Sequence, residues 1–401
     1  MIKSIKIDNF KSLVDFKLDF AKFTCLVGLN GSGKSTVLQA MDFLSQLMQG
    51  DVDEWLEFRH WTSADINSKL TKKSNIDFEV TLADAVFGEI VWSGSFNRVS
   101  KCCTQEWVKV GEVTLLEVDN SICKIRKLSD KPGKTLFPLM FPVVFEYQGS
   151  ILSQLKDNQT TDVLQFLKLA LINVESLDLL SPELLRTRTK TAGGKLGLGG
   201  EKLAAFIHES GKDGKEKLQQ QLAKVYTQLE SIETRSLPSG FKELEIVERF
   251  GEQKIKSSAR QMNDGLLRLM AILSQIESAK PFLLFDEIEN GINPELIEFL
   301  IDRLVNAPTQ VLVTTHSPMI LNYMEDEIAV AGIVYLYKNN QGFTRSIKLF
   351  EIPSMAEKLK FMGPGEAFVD TDLTHLYQEI GYQLNAGHSR DLTVRPEPVE
   401  G

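Results

Sequence analysis

The sequence contains little cysteine, histidine or tryptophan, and it has no long apolar run. Among its 401 residues are four cysteines, five histidines and four tryptophans. Cys25, Cys102, Cys103 and Cys123 lack the spacing of zinc ligands, and the adjacent pair suits no ordinary disulfide framework. A reducing compartment, the cytoplasm, is therefore expected. No segment approaches the ~18 apolar residues of a membrane span, and the N-terminal residues lack the apolar core of a signal peptide.

Positive charge is also not in excess, because the formal net charge is −9. This balance argues against a surface coated with positive charge, although a local basic groove could still hold nucleic acid. A hydrophobic content of 43% and a charged content of 25% are those of an ordinary globular protein. The length allows one large domain or two to three ordinary ones.

A glycine-rich stretch near the N-terminus carries the strongest functional signal. Residues 28–36 read Gly-Leu-Asn-Gly-Ser-Gly-Lys-Ser-Thr and match the pattern G-x-x-x-x-G-K-[ST]. The apolar run 23–27 predicts a strand before this loop, and the spacing in 37–48 predicts a helix after it. In such a loop the backbone N–H groups face phosphate oxygens, Lys34 reaches the β- and γ-phosphates, and Ser35 ligates Mg²⁺. The predicted ATP-binding residues here are Gly28, Asn30, Gly31, Ser32, Gly33, Lys34, Ser35 and Thr36.

Two acids follow a predicted buried strand in the second half of the chain. Four apolar residues, 282–285, precede Asp286 and Glu287. Such a strand would place Asp286 where it can hold Mg²⁺, and Glu287 where it can polarise an attacking water. An acidic pair can end any buried strand, so the assignment depends on the phosphate loop upstream.

A histidine follows the next predicted core strand, in Thr314-Thr315-His316-Ser317. A lone histidine is commonly structural. Its place one strand–helix unit beyond the acids favours a neutral imidazole that hydrogen-bonds the γ-phosphate.

Asn263, Asp264 and Gly265 open a predicted helix. One interpretation is that Asn263 or Asp264 caps this helix. The other is that the helix N-terminus binds the γ-phosphate of a nucleotide held by a second subunit.

A basic, glycine-rich connection covers residues 186–200. One interpretation is a surface loop. The other is a contact with a phosphate backbone, because Arg186, Arg188, Lys190 and Lys195 outnumber the nearby acids.

The hydrophobic pattern predicts two kinds of sheet. Short alternating runs in 76–126 predict an antiparallel meander. Apolar runs at 282–285, 311–315 and 333–337 alternate with helical segments, which predicts a parallel sheet covered on both faces. We also expect residues 141–147 to form a strand that returns to this main sheet.

The middle of the chain reads as helical. Apolar spacing predicts a helix over 160–180, with Val163, Leu164, Leu167, Leu171 and Val174 on one face. Leu218, Leu222, Val225, Leu229 and Ile232 recur at spacings of four and three, which predicts a second helical face.

The order of these motifs resembles that of ABC-type ATPases of the RecF, structural-maintenance-of-chromosomes (SMC) and OLD group. Residues 5–12, Ile-Lys-Ile-Asp-Asn-Phe-Lys-Ser, resemble the opening strand of the group. Residues 258–269 resemble its signature, with Asn263 where serine is usual. Residues 286–294 resemble its Walker B and D-loop, with Ile288 and Asn293 where proline and histidine are usual.

The resemblance implies an α/β P-loop NTPase with an ABC-type head. This fold has a mixed or parallel core sheet flanked by helices, an N-terminal antiparallel β-subdomain and a helical insertion. The predicted divisions are an N-terminal lobe (1–150), a helical or lid insertion (151–238), a C-terminal lobe (239–350), a helical extension (351–385) and a disordered tail (386–401).

The resemblance also implies an ATPase whose two protomers share each site. ATP and Mg²⁺ would be held by one chain and closed by Asn263, Asp264 and Gly265 of another, as a homodimer or higher oligomer. Gln148 would couple Mg²⁺ to the second lobe, and Arg186 with residues 196–203 would resemble the lid of the OLD-like branch.

Three functions are consistent with the resemblance. The first is an ATPase that works with a separate effector, such as a nuclease, in bacterial antiviral defence. We expect a separate effector because only about 60 residues follow Tyr337, too few for a further domain of typical size. The second is a DNA-binding repair ATPase. The third, a transporter subunit, is disfavoured by the missing Leu-Ser-Gly-Gly-Gln signature and by the long insertion after Lys34.

Overall fold

The computed structural model describes residues 1–126, 139–156, 160–177, 180–278 and 280–391. Of the tail predicted over 386–401, residues 386–391 belong to the last helix, and residues 392–401 lie outside the described residues. The strands are β1 (Ile2–Asp8), β2 (Phe16–Asp19), β3 (Phe23–Val27), β4 (Asn75–Asp84), β5 (Gly88–Asn97), β6 (Cys102–Val110), β7 (Val113–Asp119), β8 (Ile122–Ile125), β9 (Leu139–Pro142), β10 (Val174–Leu177), β11 (Leu229–Ser236), β12 (Lys242–Phe250), β13 (Gln253–Ser258), β14 (Phe282–Phe285), β15 (Gln310–Thr314), β16 (Ile333–Lys338) and β17 (Thr344–Lys348). The helices are α1 (Lys34–Gln49), α2 (Val52–Phe58), α3 (Ser63–Ile66), α4 (Asp162–Ile172), α5 (Pro182–Leu185), α6 (Leu203–Glu209), α7 (Gly211–Leu222), α8 (Asp264–Ile276), α9 (Ile297–Val305), α10 (Asp326–Gly332), α11 (Pro353–Lys358), α12 (Pro364–Val369) and α13 (Leu373–Asp391).

A six-stranded sheet forms the centre of the fold, in the order β10-β14-β15-β3-β16-β17. Its strands are parallel except for β17, which pairs antiparallel with β16. Both faces are covered, because alternate residues of β3 enter different apolar clusters: Cys25 and Val27 one, Leu26 the other. The carboxyl ends of β3, β14 and β15 meet at one edge of the sheet, where ligands bind in open α/β sheets.

The N-terminal part forms an eight-stranded antiparallel sheet, in the order β2-β1-β4-β5-β6-β7-β8-β9. Its inward residues pack with α1 and with one face of the central sheet. The sheet contains the meander that alternation in residues 76–126 predicts.

A third sheet of three antiparallel strands, β11-β12-β13, lies directly before α8 in the chain. The sequence prediction for its first strand was wrong. Helix α7 ends at Leu222, and the chain then turns, so that Leu229 and Ile232 belong to β11, where Ile232 pairs with Ile246. The apolar spacing of three and four residues continues across the turn by coincidence.

The strand at the edge of the central sheet was also predicted incorrectly. Residues 139–142 form β9, which pairs with β8 in the antiparallel sheet. The central edge strand is instead β10, which pairs with β14. Helix α4 ends at Ile172, and Val174 follows Leu171 at helical spacing although it already lies in the strand.

Within the described residues, no helix has the length and apolarity needed to cross a membrane.

Candidate nucleotide-binding site

The phosphate loop joins β3 to α1 in a conformation that requires glycine. Gly28 and Gly33 have φ angles of 147° and 111°, in the region that side chains disfavour. A Cβ on Gly28 would lie 2.3 Å from the carbonyl oxygen of Leu336, and one on Gly33 would lie 2.5 Å from Thr344 Oγ1. Glycine is therefore required at both positions. The loop leads into the N-terminus of α1, where N–H groups and the helix dipole favour anions.

Lys34 is buried beneath this loop. Its Nζ donates hydrogen bonds to the carbonyl oxygens of Gly28, at 2.9 Å, and of Leu29, at 3.2 Å. Burial lowers the pKa of Lys34, and nearby carboxylates, led by Asp286, oppose this shift. The ammonium group is thus held at the loop with acids close by.

Residues from distant parts of the chain line one cavity of about 790 Å³ at the loop. Glu287 and His316 line this cavity together with the phosphate loop. The phosphate-loop residues that line it are Asn30, Gly31, Gly33, Lys34, Ser35 and Thr36. The structure thus brings the three predicted motifs together around one space large enough for a nucleotide.

The two acids follow β14 in a constrained turn. Glu287 has a φ of 46°, which is uncommon for a residue with a side chain. Its N–H donates to Thr314 Oγ1 at 2.9 Å, and the Thr314 hydroxyl donates to Asp286 Oδ1. Backbone strain of this kind costs about 1–3 kcal/mol and persists where neighbouring contacts enforce it.

The Glu287 carboxylate faces the histidine predicted from the sequence. Its Oε1 lies 3.4 Å from His316 Nε2, and its Oε2 accepts a hydrogen bond from Asn290 Nδ2 at 3.3 Å. Both side chains are partly exposed to the cavity, so a carboxylate acceptor and an imidazole stand side by side there.

Glu289 anchors the segment that carries His316. Its Oε1 accepts hydrogen bonds from the backbone N–H groups of His316, at 2.7 Å, and Ser317, at 3.0 Å. The sequence prediction missed Glu289 and Thr314. The recurrence of an acid two residues after Glu287, and a threonine two residues before His316, were the available signals.

The N- and C-terminal parts of the chain complete the edge of the cavity. Lys11, Ser12 and Lys338 line it. Lys11 Nζ donates to Gln39 Oε1 at 2.8 Å and lies 3.3 Å from the ring centroid of Trp61. Lys11 is therefore held at the cavity by contacts of its own.

The segment Asn263–Gly265 does not line this cavity. Asn263 caps α8, because its side chain accepts a hydrogen bond from Leu266 N–H at 2.7 Å. Arg186 donates to Asp264 Oδ1 at 2.5 Å and to the carbonyl oxygen of Met262 at 2.8 Å. Within a single chain, Asn263 thus acts as a helix cap. A contact of this segment with a second subunit stays a prediction.

Gln148 lies away from the cavity. Its side chain accepts a hydrogen bond from Asp53 N–H and donates to the Asp53 carboxylate. The following residues pack on Leu47, whose carbonyl oxygen accepts from Ser150 N–H at 2.7 Å. Leu47 is twelve residues beyond Ser35 on α1, which is about 18 Å at 1.5 Å per residue. Gln148 follows β9, which belongs to the antiparallel sheet and not to the central sheet. The structure therefore does not bring Gln148 to Ser35.

The basic residues of the 186–200 connection have partners within the chain. Arg188 pairs with Glu243, Lys195 Nζ donates to Gln49 Oε1 at 2.6 Å, and Lys190 lies over the Phe241 ring. The contacts support the surface-loop interpretation over a basic surface open to a phosphate backbone.

The donor set suits a hard divalent cation. Ser35 offers a hydroxyl and Asp286 a carboxylate, and oxygen donors of this type are those that Mg²⁺ prefers. The hydrogen bond from Thr314 already orients the Asp286 carboxylate.

Two family profiles match separate parts of the chain. "AAA ATPase domain" matches residues 1–135, and "AAA domain, putative AbiEii toxin, Type IV TA system" matches residues 202–322. The first range contains the phosphate loop, and the second contains the acids and His316.

Two curated proteins are similar over short segments. The OLD nuclease of Thermus scotoductus is 34% identical over 100 residues, which cover 24% of this chain and 16% of that protein. The DNA double-strand break repair Rad50 ATPase of Methanococcus maripaludis is 48% identical over 44 residues, 11% of this chain and 4% of that protein. The chain thus spans a small part of the length of either relative.

Solved structures of SMC heads share the fold. The SMC head bound to the C-winged helix domain of ScpA aligns with a TM-score of 0.55 at 14% identity, covering 87% of this chain and 99% of that one. The Smc head domain with an extended coiled coil, derived from Pyrococcus furiosus and bound to the C-terminal domain of ScpA, gives 0.51 at 14% identity, covering 90% and 99%. At this identity the likeness shows the fold, and it confirms the predicted ABC-type head.

Proposed function

We propose that this chain, an ABC-type AAA ATPase of the SMC, RecF and OLD-like group by its motifs, family matches and fold, binds and hydrolyses ATP. The observation that carries the proposal is the single cavity that Lys34, Ser35, Glu287 and His316 share, although more than 250 residues separate the two pairs in the sequence. Hydrolysis needs these groups around one triphosphate.

Each residue of the site has a separate role in hydrolysis. The loop N–H groups and Lys34 bind the phosphates, and Ser35 and Asp286 would hold Mg²⁺, which neutralises phosphate charge when it is bound. Glu287 orients a water and accepts its proton, since its carboxylate faces the cavity. His316 hydrogen-bonds the γ-phosphate beside it.

Two copies of the head close around ATP in this proposal. Asn263, Asp264 and Gly265 lie outside the cavity of their own chain, at the N-terminus of α8, a helix of 13 residues. They would contact the γ-phosphate held by the other copy. ATP then favours the closed dimer because it binds that state more tightly, and hydrolysis releases it.

Mixing variants tests both parts of the proposal. Lys34→Ala removes the phosphate loop's cation, and Asn263→Asp keeps a helix cap but places a charge that repels phosphate. Each should be inactive alone, and an equimolar mixture should regain activity, because one site of the mixed dimer is intact. A mixture of Lys34→Ala with Glu287→Gln is the control, since both changes damage the same half-site.

The outcomes separate the two claims. Wild-type protein without ATP hydrolysis would overturn the ATPase assignment. Active wild-type protein whose folded variants never complement would overturn the shared site alone.

The ATPase would regulate or recruit a separate effector in antiviral defence. The similarity to an OLD nuclease and the AbiEii description of the second profile support this role. A plaque assay tests it: cells that carry the wild-type gene with its neighbours should resist phage, and cells with Lys34→Ala should not. Equal plaque numbers in both strains would contradict a defence role.

A DNA-repair ATPase is the alternative, favoured by the similarity to a Rad50 ATPase. The paired basic residues at 186–195 give it little support. Gel-shift titration of duplex DNA at rising salt tests it, because phosphate contacts weaken steeply as salt rises.

A further inference from the structure

Thr314 is the last residue of β15, and its side chain is completely buried. It lies beside the turn that carries Asp286 and Glu287. The prediction from sequence gave it no role.

The Thr314 hydroxyl forms hydrogen bonds with both acidic residues. A threonine hydroxyl donates one hydrogen bond and accepts two. The Thr314 hydroxyl donates to Asp286 Oδ1, while its oxygen accepts from the N–H of Glu287 at 2.9 Å. The Thr314 carbonyl oxygen also accepts from Ile288 N–H at 3.1 Å. The end of β15 is thus bonded to three successive residues of the acidic turn.

We propose that Thr314 is a positioning residue that fixes the Asp286 carboxylate toward Mg²⁺ and holds Glu287 in its left-handed backbone conformation. The proposal rests on the proposed function. Hydrogen bonds to a metal-ligating carboxylate set its orientation, and their loss commonly lowers metal affinity or activity by about 10–100-fold. The amide contact matters separately, because a left-handed glutamate needs surrounding contacts to persist.

The chain offers a matched control for simple packing. Thr24 in the neighbouring strand β3 is also completely buried, and its Oγ1 accepts a hydrogen bond from Ala21 N–H at 3.0 Å. This bond lies at the opposite end of the sheet from the acids. Thr24→Val therefore repeats the change in a buried threonine without touching the site.

Nucleotide affinity measured with and without Mg²⁺ tests the proposal without relying on turnover. ATP binding would be titrated by calorimetry in a Glu287→Gln background, once with Mg²⁺ and once with EDTA. In the Thr314→Val variant, the increase in ATP affinity on adding Mg²⁺ should be about 10–100-fold smaller than without this substitution. Its ATP affinity in EDTA should change less than about twofold. Thr314→Ser should restore the gain, and Thr24→Val should keep it.

Turnover provides a second readout in the Glu287 wild-type background. Thr314→Val should raise the KM for ATP in the presence of Mg²⁺, as the loss of affinity requires, and should also lower kcat, because the hydroxyl holds the Glu287 backbone in place. A folded Thr314→Val variant with the full Mg²⁺ gain, or one that loses affinity equally in EDTA, would overturn the proposal. Wild-type protein that gains no ATP affinity from Mg²⁺ would instead overturn the proposed function, and this inference with it.

Discussion

The Glu289 carboxylate accepts a hydrogen bond from the backbone N–H of His316 at 2.7 Å. It also accepts one from Ser317 N–H, so a single side chain holds the start of the histidine segment against the turn that follows β14. This contact joins the two parts of the site that the sequence separates by about 30 residues.

Removing this anchor should disable the site without unfolding the protein. Glu289→Ala frees the His316 backbone, and displacing a reacting group by about 1 Å can cost 100-fold in rate. We therefore expect ATP turnover to fall about 10–100-fold, toward the level of His316→Ala. Glu289→Gln keeps an oxygen acceptor and should retain most activity. Phosphate-release assays measure this, with exposed Glu295→Ala as control, and normal turnover in Glu289→Ala would refute the role.

Glu287→Gln should separate binding from hydrolysis. Glutamine keeps the size of the side chain but cannot accept the proton of water, so turnover should fall about 10²–10⁴-fold. ATP affinity should stay close to wild type, and the ATP-bound dimer should persist longer. Light scattering on a sizing column measures the dimer, with exposed Glu112→Gln as control. Hydrolysis at the normal rate would show that Glu287 is not the base.

ATP binding in alkaline solution should take up a proton at Lys34. Burial lowers the pKa of Lys34 from the ordinary 10.5 in the free protein, and bound phosphates would raise it. At pH values between the lowered pKa of folded Lys34 and its ordinary pKa, Lys34 is more protonated in the unfolded chain than in the folded one. The free energy of unfolding of the free protein therefore rises with pH in this range. Titration calorimetry in two buffers of different ionisation heat measures the uptake.

The control for this uptake is exposed Lys22→Ala, which should leave it unchanged. Lys34→Ala should abolish ATP binding itself. Equal binding heats in both buffers across the alkaline range would contradict a titrating Lys34.

Glu106 should make stability depend on pH. It is buried in the antiparallel sheet and accepts hydrogen bonds from Trp92 Nε1 at 2.8 Å, from Ile151 N–H at 2.9 Å and from the Ser150 hydroxyl. Burial raises the pKa of Glu106, and these hydrogen bonds oppose the shift. Above the ordinary pKa of 4.5, Glu106 is already deprotonated in the unfolded chain but still protonated in the folded one. The free energy of unfolding therefore falls as pH rises through the raised pKa.

Glu106→Gln removes this dependence. Urea unfolding at several pH values should show a wild-type loss of about 1.4 kcal/mol for each unit by which the pKa is raised. The variant should show a flatter profile, and exposed Glu112→Gln should follow the wild type. Parallel profiles for Glu106→Gln and wild type would contradict the prediction.

The sequence by itself determined the local parts of the site. The phosphate loop, the strand with its two acids and the helix capped by Asn263 are each specified by a few neighbouring residues, because glycine conformation, strand burial and helix capping depend on short-range geometry. The cavity that the phosphate loop shares with the acidic turn follows from one further rule, that the carboxyl ends of parallel strands meet at one edge.

Only the tertiary structure decided which strand lies at the edge of the central sheet, where Gln148 lies, and what Thr314 and Glu289 contact. Spacing of apolar residues does not distinguish a helix from a turn that leads into a strand, as Leu222 and Leu229 demonstrate. Strand order and cross-strand hydrogen bonds join residues far apart in the chain, and no local pattern encodes such pairings. The physical reason is that these contacts depend on the packing of whole elements, which forms only when the chain folds.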